Sequence, residues 1–292
     1  MYNFRYLNPL SDFGFKRNFG DAEIMKAFLT DLLGLSSEIK SIKHLDKERQ
    51  SKTLKGRGVV FDLLCETADG SRFIVEMQKR YQRYFSDRIV YYLSREIASQ
   101  QKSGEGDWNY ELMLVYGVFF LNFHLSNLEQ RNLRTIKFTV QETGEVLTNK
   151  VTAYTLELPL YDGKPDRECK TQIDYWLYNL ANMETMQTDL KFKDKQPAFE
   201  KMQHLSELSA MTKDESDQYF MEQDYYRTIK NADDYEYDQA REQGRAEGRA
   251  EGRAEGLQQG VLKVAKNLKQ SGVDTSLIAQ ATGLTEEEVS KL

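Results

Sequence analysis

Val59-Val60-Phe61-Asp62-Leu63-Leu64-Cys65-Glu66 and Arg72-Phe73-Ile74-Val75-Glu76-Met77-Gln78 are two alternating runs separated by Asp69-Gly70. Period-two alternation predicts half-buried strands, and Asp-Gly between them is a strong hairpin signal. The acids in these runs carry the chemistry. Asp62 and Glu76 each sit among Val, Phe, Ile and Leu, where an unpaired carboxylate is costly to bury. Two such groups close together also repel, and a divalent cation between them relieves both penalties at once. Glu76 and Gln78 point the same way on a strand. Asp62 joins them only in some registers. A two-residue loop at Asp69-Gly70 sets Asp62 opposite Met77, on the wrong face. A loop of Asp69-Gly70-Ser71 sets it opposite Gln78, and all three side chains then share a face. The chemistry therefore requires the longer loop or a bulge.

The roles come from phosphodiester hydrolysis. Asp62 and Glu76 are the expected metal ligands, with the Met77 carbonyl as a third. Gln78 is placed to orient the attacking water or the phosphate, although an amide is no strong base. The expected ion is Mg²⁺ or Mn²⁺, because hard oxygen donors suit both.

Outward from the hairpin, residues 21–33 read as a helix capped by Asp21, with Ile24, Met25, Phe28, Leu32 and Leu33 at helical spacing and Gly34 after the last turn. Asp12 to Gly20 forms a short helix of its own with Phe15 and Phe19 on one face. Residues 86–101 read as a third helix with Ser86 as its cap. Its Ile89, Leu93 and Ile97 are buried, and Arg88, Tyr91 and Arg95 line another face. A strand apolar on both sides spans about 110–122, as expected of one covered on both faces. Further strands are expected at Thr135–Gln141 and Val151–Leu160, and helices at Gln172–Met183 and over 196–231. The order implies an α/β fold with a mixed central sheet flanked by helices.

The expected domains are residues 1–235 and a tail, 236–292. In the tail, Gly244-Arg245-Ala246-Glu247 recurs at 248–251 and 252–255. A period of four drifts about 40° per repeat on a helix, so each residue type forms a slow stripe. Like charges at i,i+4 and recurrent glycines weaken the lone helix. Two readings stay open, a fraying helical linker and a helix that associates with a second copy. Beyond it, Gly260–Gln270 is amphipathic, a short helix comes next at Asp274–Ala281, and Thr285 with Glu288 fits a capping box. The pair of short helices resembles half of a helix-turn-helix. Three successive glutamates (286–288) repel phosphates, which favours an interaction or oligomerisation element over a DNA reader.

The chain has 292 residues and a formal net charge of −6, yet the charge is uneven. Residues 40–57 and 72–95 are basic, and 214–238 are acidic, so a basic face can meet DNA despite the total. Two cysteines give no disulfide framework, and no long apolar run indicates secretion or membrane insertion. A cytoplasmic setting is the expectation. The three histidines do not space as zinc ligands with the cysteines, and no phosphate-cradling glycine loop is present.

Asp62, then a hairpin, then Glu76-Met77-Gln78 resembles the PD-(D/E)xK nuclease motif with Gln in its last position. Asp12-Phe13-Gly14-Phe15-Lys16-Arg17-Asn18-Phe19-Gly20, the helix with Tyr91-Tyr92-Leu93-Ser94-Arg95, and the Gly-Arg-Ala-Glu tail followed by Ile278-Ala279-Gln280-Ala281-Thr282-Gly283-Leu284-Thr285 are similar to the Rpn family of recombination-promoting nucleases, also described as transposases. The resemblance implies a restriction-endonuclease-like core with a four-stranded mixed sheet. It also implies magnesium-dependent DNA endonuclease activity tied to recombination or mobile DNA, with Asp62, Glu76 and Gln78 catalytic. Asp12 and Lys16 match the opening motif as accessory residues, Asp12 either near the metal or as a helix cap. Arg80, Arg88 and Arg95 are the expected DNA contacts. Two rivals remain: a DNA-binding protein on a poorly cleaving nuclease fold, and a regulatory protein acting through its tail.

Overall fold

The turn between the two decisive strands sets the register of the sheet. In the computed structural model, which describes residues 4–35, 39–45, 48–49, 59–100, 109–126 and 128–292, Leu63–Thr67 (β4) and Arg72–Gln78 (β5) pair antiparallel with Leu63 opposite Val75 and Glu66 opposite Arg72. The loop is Ala68-Asp69-Gly70, closed by the Thr67 amide on the Ser71 carbonyl at 2.9 Å and the Gly70 amide on the Thr67 carbonyl at 2.9 Å. It has the three residues that the chemistry requires, framed one residue earlier than expected. The Asp69 carboxylate explains the frame. It accepts from the Thr67 hydroxyl at 2.6 Å and the Ser71 amide at 3.1 Å, drawing Ser71 out of the loop and into the ladder. Gly70, at φ 82°, supplies the left-handed residue that such a loop needs.

The main sheet has six strands among the described residues, where the family resemblance implied four. Its order is β1 (Ile42–His44), β4, β5, β6 (Val115–Leu121), β8 (Val146–Glu157) and β7 (Leu133–Thr139). β5, β6 and β8 run parallel, and the other pairs are antiparallel. A separate two-stranded ribbon joins Glu48–Arg49 (β2) to Val59–Val60 (β3). The expected single strand from Val59 to Glu66 is therefore two pieces with a bend at Asp62.

Alternation along β5 sends its odd residues to one core and its even residues to another. Phe73, Val75 and Met77 pack with Asp12–Phe19 (α1), Ala22–Leu33 (α2), Gln172–Asn182 (α4) and Pro197–Ser206 (α5), around Phe15, Phe19, Phe28, Trp176 and Phe199. Ile74 packs against Phe85–Ser99 (α3) through Phe85, Ile89 and Leu93. Phe119 and Phe120 of β6 divide between the two cores, so that strand is apolar on both sides. Glu76 and Gln78, being even, emerge under α3.

Asp21 caps α2 as expected, accepting from the Glu23 and Ile24 amides, and Gly34 ends it at φ 63°. Several other boundaries differ. Ser86 lies inside α3, whose N-cap is Tyr84 with no side-chain cap bond. The strand expected from residue 110 begins at Val115, because the Gln100 side chain engages the Met113 backbone at 2.9 Å and 3.3 Å in place of a neighbouring strand. The helix expected over 196–231 breaks after Ser206, where the chain start pairs with it: the Leu7 amide meets the Ser206 carbonyl at 2.9 Å and the Leu208 amide the Arg5 carbonyl at 3.0 Å.

The chain divides into two compact units, Met1–Gln223 and Asp224–Leu292. The Gly-Arg-Ala-Glu repeats lie within one continuous helix, Lys213–Gln270 (α6). In the second unit, Ala265 packs with Ile278 and Val289 from Thr275–Thr282 (α7) and Glu286–Lys291 (α8). The Thr285–Glu288 capping box is formed. Among the described residues, no helix is long and apolar enough to cross a membrane.

Candidate metal centre

The bend at Asp62 is the point where main-chain pairing gives way to side chains. Continuing the β4–β5 register by one step would set Asp62 opposite Glu76, both toward α3. Instead the Asp62 amide donates to Glu76 Oε1 at 2.9 Å, and Asp62 Oδ2 accepts from the Met77 amide at 2.9 Å. Main chain and side chain of Asp62 thus both engage β5 at Glu76 and Met77, and the Asp62 carboxylate is near enough to act on that of Glu76. On a strand, the N–H and C=O of one residue face the same edge. The Met77 carbonyl therefore also faces the gap left by the bend. Gln78 Nε2 donates to Glu76 Oε2 at 3.2 Å, so its amide orients Glu76.

Charge compensation here is incomplete. Glu76 is 1% exposed, and among the described residues its ion-pair partner is Arg88, whose Nη2 is 3.9 Å from Oε2. No cation is in ion-pair range of Asp62 among the described residues. Burial pushes Asp62 above the usual carboxylate range and the Asp12 carboxylate adds to this; the Met77 amide, Lys16 and Arg88 oppose it. Glu76 is pushed up to about 8, first by burial and then by Asp62. Two acids whose charged forms are disfavoured here, presenting hard oxygens beside a carbonyl, form a donor set suited to a divalent cation. Among the described residues no group of three His, Cys, Asp or Glu side chains closes into a metal cluster. The third donor that the arrangement offers is the main-chain carbonyl of Met77.

Around the pair stand the accessory groups. Lys16 and Asp12 form an ion pair at 2.5 Å one turn apart on α1, close enough to Asp62 to perturb it. Ser11, not Asp12, caps α1 with its side chain. Arg88 lies on the first turn of α3, held by Gln82 Oε1 at 2.9 Å and the Tyr92 hydroxyl at 2.5 Å. Arg80 is half-buried just after β5, and Arg95 is half-buried two turns beyond Arg88, about 10 Å along the helix. The structure brings Asp62, Glu76, Gln78, Met77, Asp12, Lys16 and Arg88 together, while Arg80 and Arg95 lie farther along the chain after β5 and along α3. Of the basic stretch 40–57, Lys47, Lys52, Lys55 and Arg57 lie outside the described residues.

Sequence reasoning missed Glu222. Its carboxylate accepts from the Asp12 amide at 2.7 Å and the Phe13 amide at 2.8 Å, and it pairs with Lys79 Nζ at 3.2 Å. One residue of α6 thereby fixes the start of α1 and the base that comes after Gln78. Tyr219, one turn earlier, accepts from the Asn8 amide at 2.8 Å. Nothing in the sequence links these to residues some two hundred positions away. Glu222 is one acid in a run that reads only as charge.

Residues 9–236 match the family described as PD-(D/E)XK nuclease family transposase, and residues 258–292 match the Rpn/YhgA-like nuclease family, C-terminal HTH domain. The first match covers most of the chain, which belongs to that family of nuclease transposases. The second agrees with the helix-turn-helix likeness of the two short helices; it names the motif and not what the motif binds. No curated protein and no solved structure matches the chain.

Proposed function

We propose that this PD-(D/E)XK nuclease family transposase is a divalent-metal-dependent DNA endonuclease acting in recombination or on mobile DNA. Mg²⁺ is the working ion, and Mn²⁺ can replace it. One observation carries the reading: a buried Glu76 and a half-buried Asp62, joined through the Asp62 amide and Glu76 Oε1, stand close together with their charge only partly compensated.

Asp62 and Glu76 would hold the ion with the Met77 carbonyl. When bound, the cation supplies Lewis-acid polarisation of the scissile phosphate and lowers the energy of forming hydroxide from water. The chain does the rest by position. Gln78 holds Glu76 in its rotamer and leaves its amide oxygen to orient water. Arg88, already aimed at the pair, binds a phosphate oxygen, and Arg80 and Arg95 extend contact along the backbone. Lys16 keeps Asp12 paired and adds positive charge beside the leaving group. The helix-turn-helix domain within 236–292 supports DNA as the partner, and the exposed repeats support pairing with a second copy. The chain works as two domains, 1–235 and 236–292, in the cytoplasm.

The test is nicking of supercoiled plasmid with Mg²⁺ by wild type, Asp62→Ala and Glu76→Ala. Loss of nicking in both variants is expected. Equal activity in all three eliminates the site. A second reading, DNA binding with little cleavage, is favoured by Gln78, whose place is neutral and whose amide is already engaged with Glu76. It predicts salt-dependent DNA binding without nicking in wild type.

A further inference from the structure

The run after the site, Lys79-Arg80-Tyr81-Gln82-Arg83-Tyr84-Phe85-Ser86-Asp87-Arg88, alternates bases with aromatics, and the metal chemistry uses only its last member. Phe85 is buried against Phe119 and Phe123 and anchors the segment. The tyrosines face outward: Tyr84 is 65% exposed, Tyr81 50% and Tyr91, two turns along α3, 45%. Tyr84 and Tyr91 flank a groove of about 740 Å³, lined also by Gln82, Arg83, Asp87 and Arg88. The Arg83 guanidinium lies over the Tyr84 ring at 5.5 Å, and Arg88 lies over Tyr92 at 4.9 Å. Arg88 belongs to both places, lining the groove while its Nη2 stands 3.9 Å from Glu76 Oε2.

We infer that this groove takes unpaired nucleobases of the DNA strand being cleaved, so that the preferred substrate is single-stranded or locally opened DNA. This deepens the proposed function and rests on it. The lining decides between bases and backbone. A track for phosphates is uniformly basic, whereas here Asp87 sits between Arg83 and Arg88 and would repel a phosphate. Tyr84, an exposed ring held by Arg83, and Tyr91, exposed across the groove, are stacking platforms, and every unpaired base offers a face to them. An intact duplex hides those faces and presents only phosphates and base edges. The volume suits roughly one or two nucleotides, within the usual range of ligand pockets. Arg88 then marks the crossing point, with a base on one side and the adjoining phosphate at the carboxylate pair.

The experiment is fluorescence anisotropy with full-length protein in EDTA, so that binding is read without cleavage. The probes are a labelled oligothymidylate of twenty nucleotides and a duplex of the same length. The variants are the doubles Tyr84→Ala/Tyr91→Ala and Tyr84→Phe/Tyr91→Phe. The alanine pair is expected to weaken single-strand binding about tenfold or more and duplex binding less than twofold. The phenylalanine pair, keeping both rings, is expected to bind like wild type. Equal loss on both probes, or no loss on the single strand, overturns the inference, as does wild type that binds duplex but not single strand. Because no cleavage is read, inactivity of the nuclease leaves these outcomes intact. Conversely, nicking that persists in Asp62→Ala would sink the nuclease reading while the stacking result stood.

Discussion

Asp174 and Glu76 are both buried carboxylates of the first unit, and the protein treats them in opposite ways. At Asp174, burial works against the charge, but the Tyr161 hydroxyl at 2.5 Å and the Lys170 and Thr171 amides at 2.9 Å and 2.8 Å outweigh it, bringing the acid down to about 2. At Glu76 one amide and a glutamine donate, Asp62 adds a second negative charge, and the acid rises to about 8. The first carboxylate is satisfied by its own chain and completes the capping box of α4. The second is satisfied by its own chain only in part. Burial therefore marks neither as functional; the balance of donors does.

Substitutions at the two acids should separate them most clearly in activity. Asp62→Ala and Glu76→Ala should each lower nicking by more than roughly a hundredfold, beyond the 10–100-fold typical of residues that only support a ligand. Asp174→Asn should leave the rate per folded molecule unchanged. Next comes stability, where the signs should differ. Asp174→Asn removes charge-assisted bonds and should destabilise by about 1–3 kcal/mol. Glu76→Gln removes an uncompensated charge and should raise the Tm of the metal-free protein in thermal denaturation at pH 8. A fall in Tm for Glu76→Gln would show that the acid is satisfied after all.

Stability should also depend on pH with opposite signs at the two acids. Folded Glu76 holds its proton more tightly than the unfolded chain does, so metal-free stability should fall as pH rises from 4.5 to about 8. Folded Asp174 holds its proton less tightly, so its contribution is complete above 3.8 and is lost as pH falls toward about 2. Stabilisation by Mg²⁺ should grow with pH through the first window, since the ligands must release protons to bind. Denaturant melts at several pH values, with and without Mg²⁺, check both slopes. The smallest effect belongs to Glu222. Glu222→Gln loses the charge on its bonds to the Asp12 and Phe13 amides, and should destabilise by about 1 kcal/mol and slow nicking roughly tenfold. Unchanged nicking at full folding would remove its positioning role.

The hairpin is legible in the sequence because its signals are local. Alternation gives the faces of Glu76 and Gln78, and Asp69-Gly70 gives the turn. The frame is not legible, since it depends on the Asp69 side chain drawing Ser71 into the ladder. Nor is the strand break at Asp62, where a carboxylate takes an amide that strand pairing would otherwise use. β1 has three residues inside a stretch that reads only as basic, and it is specified by its partner β4. The repeats look weak as a lone helix by propensity, yet they lie within a continuous one. The helix-turn-helix is obscured because the charge on one short helix speaks against DNA while the pattern of two helices speaks for it. Long-range contacts such as Glu222 with α1 leave no trace in spacing.

The most direct measurement is anomalous diffraction from crystals of the full chain soaked with Mn²⁺ at millimolar concentration. A peak about 2.0–2.2 Å from carboxylate oxygens of both Asp62 and Glu76, and near the Met77 carbonyl, is the expected result. A manganese site elsewhere, with neither Asp62 nor Glu76 among its ligands, would contradict the account.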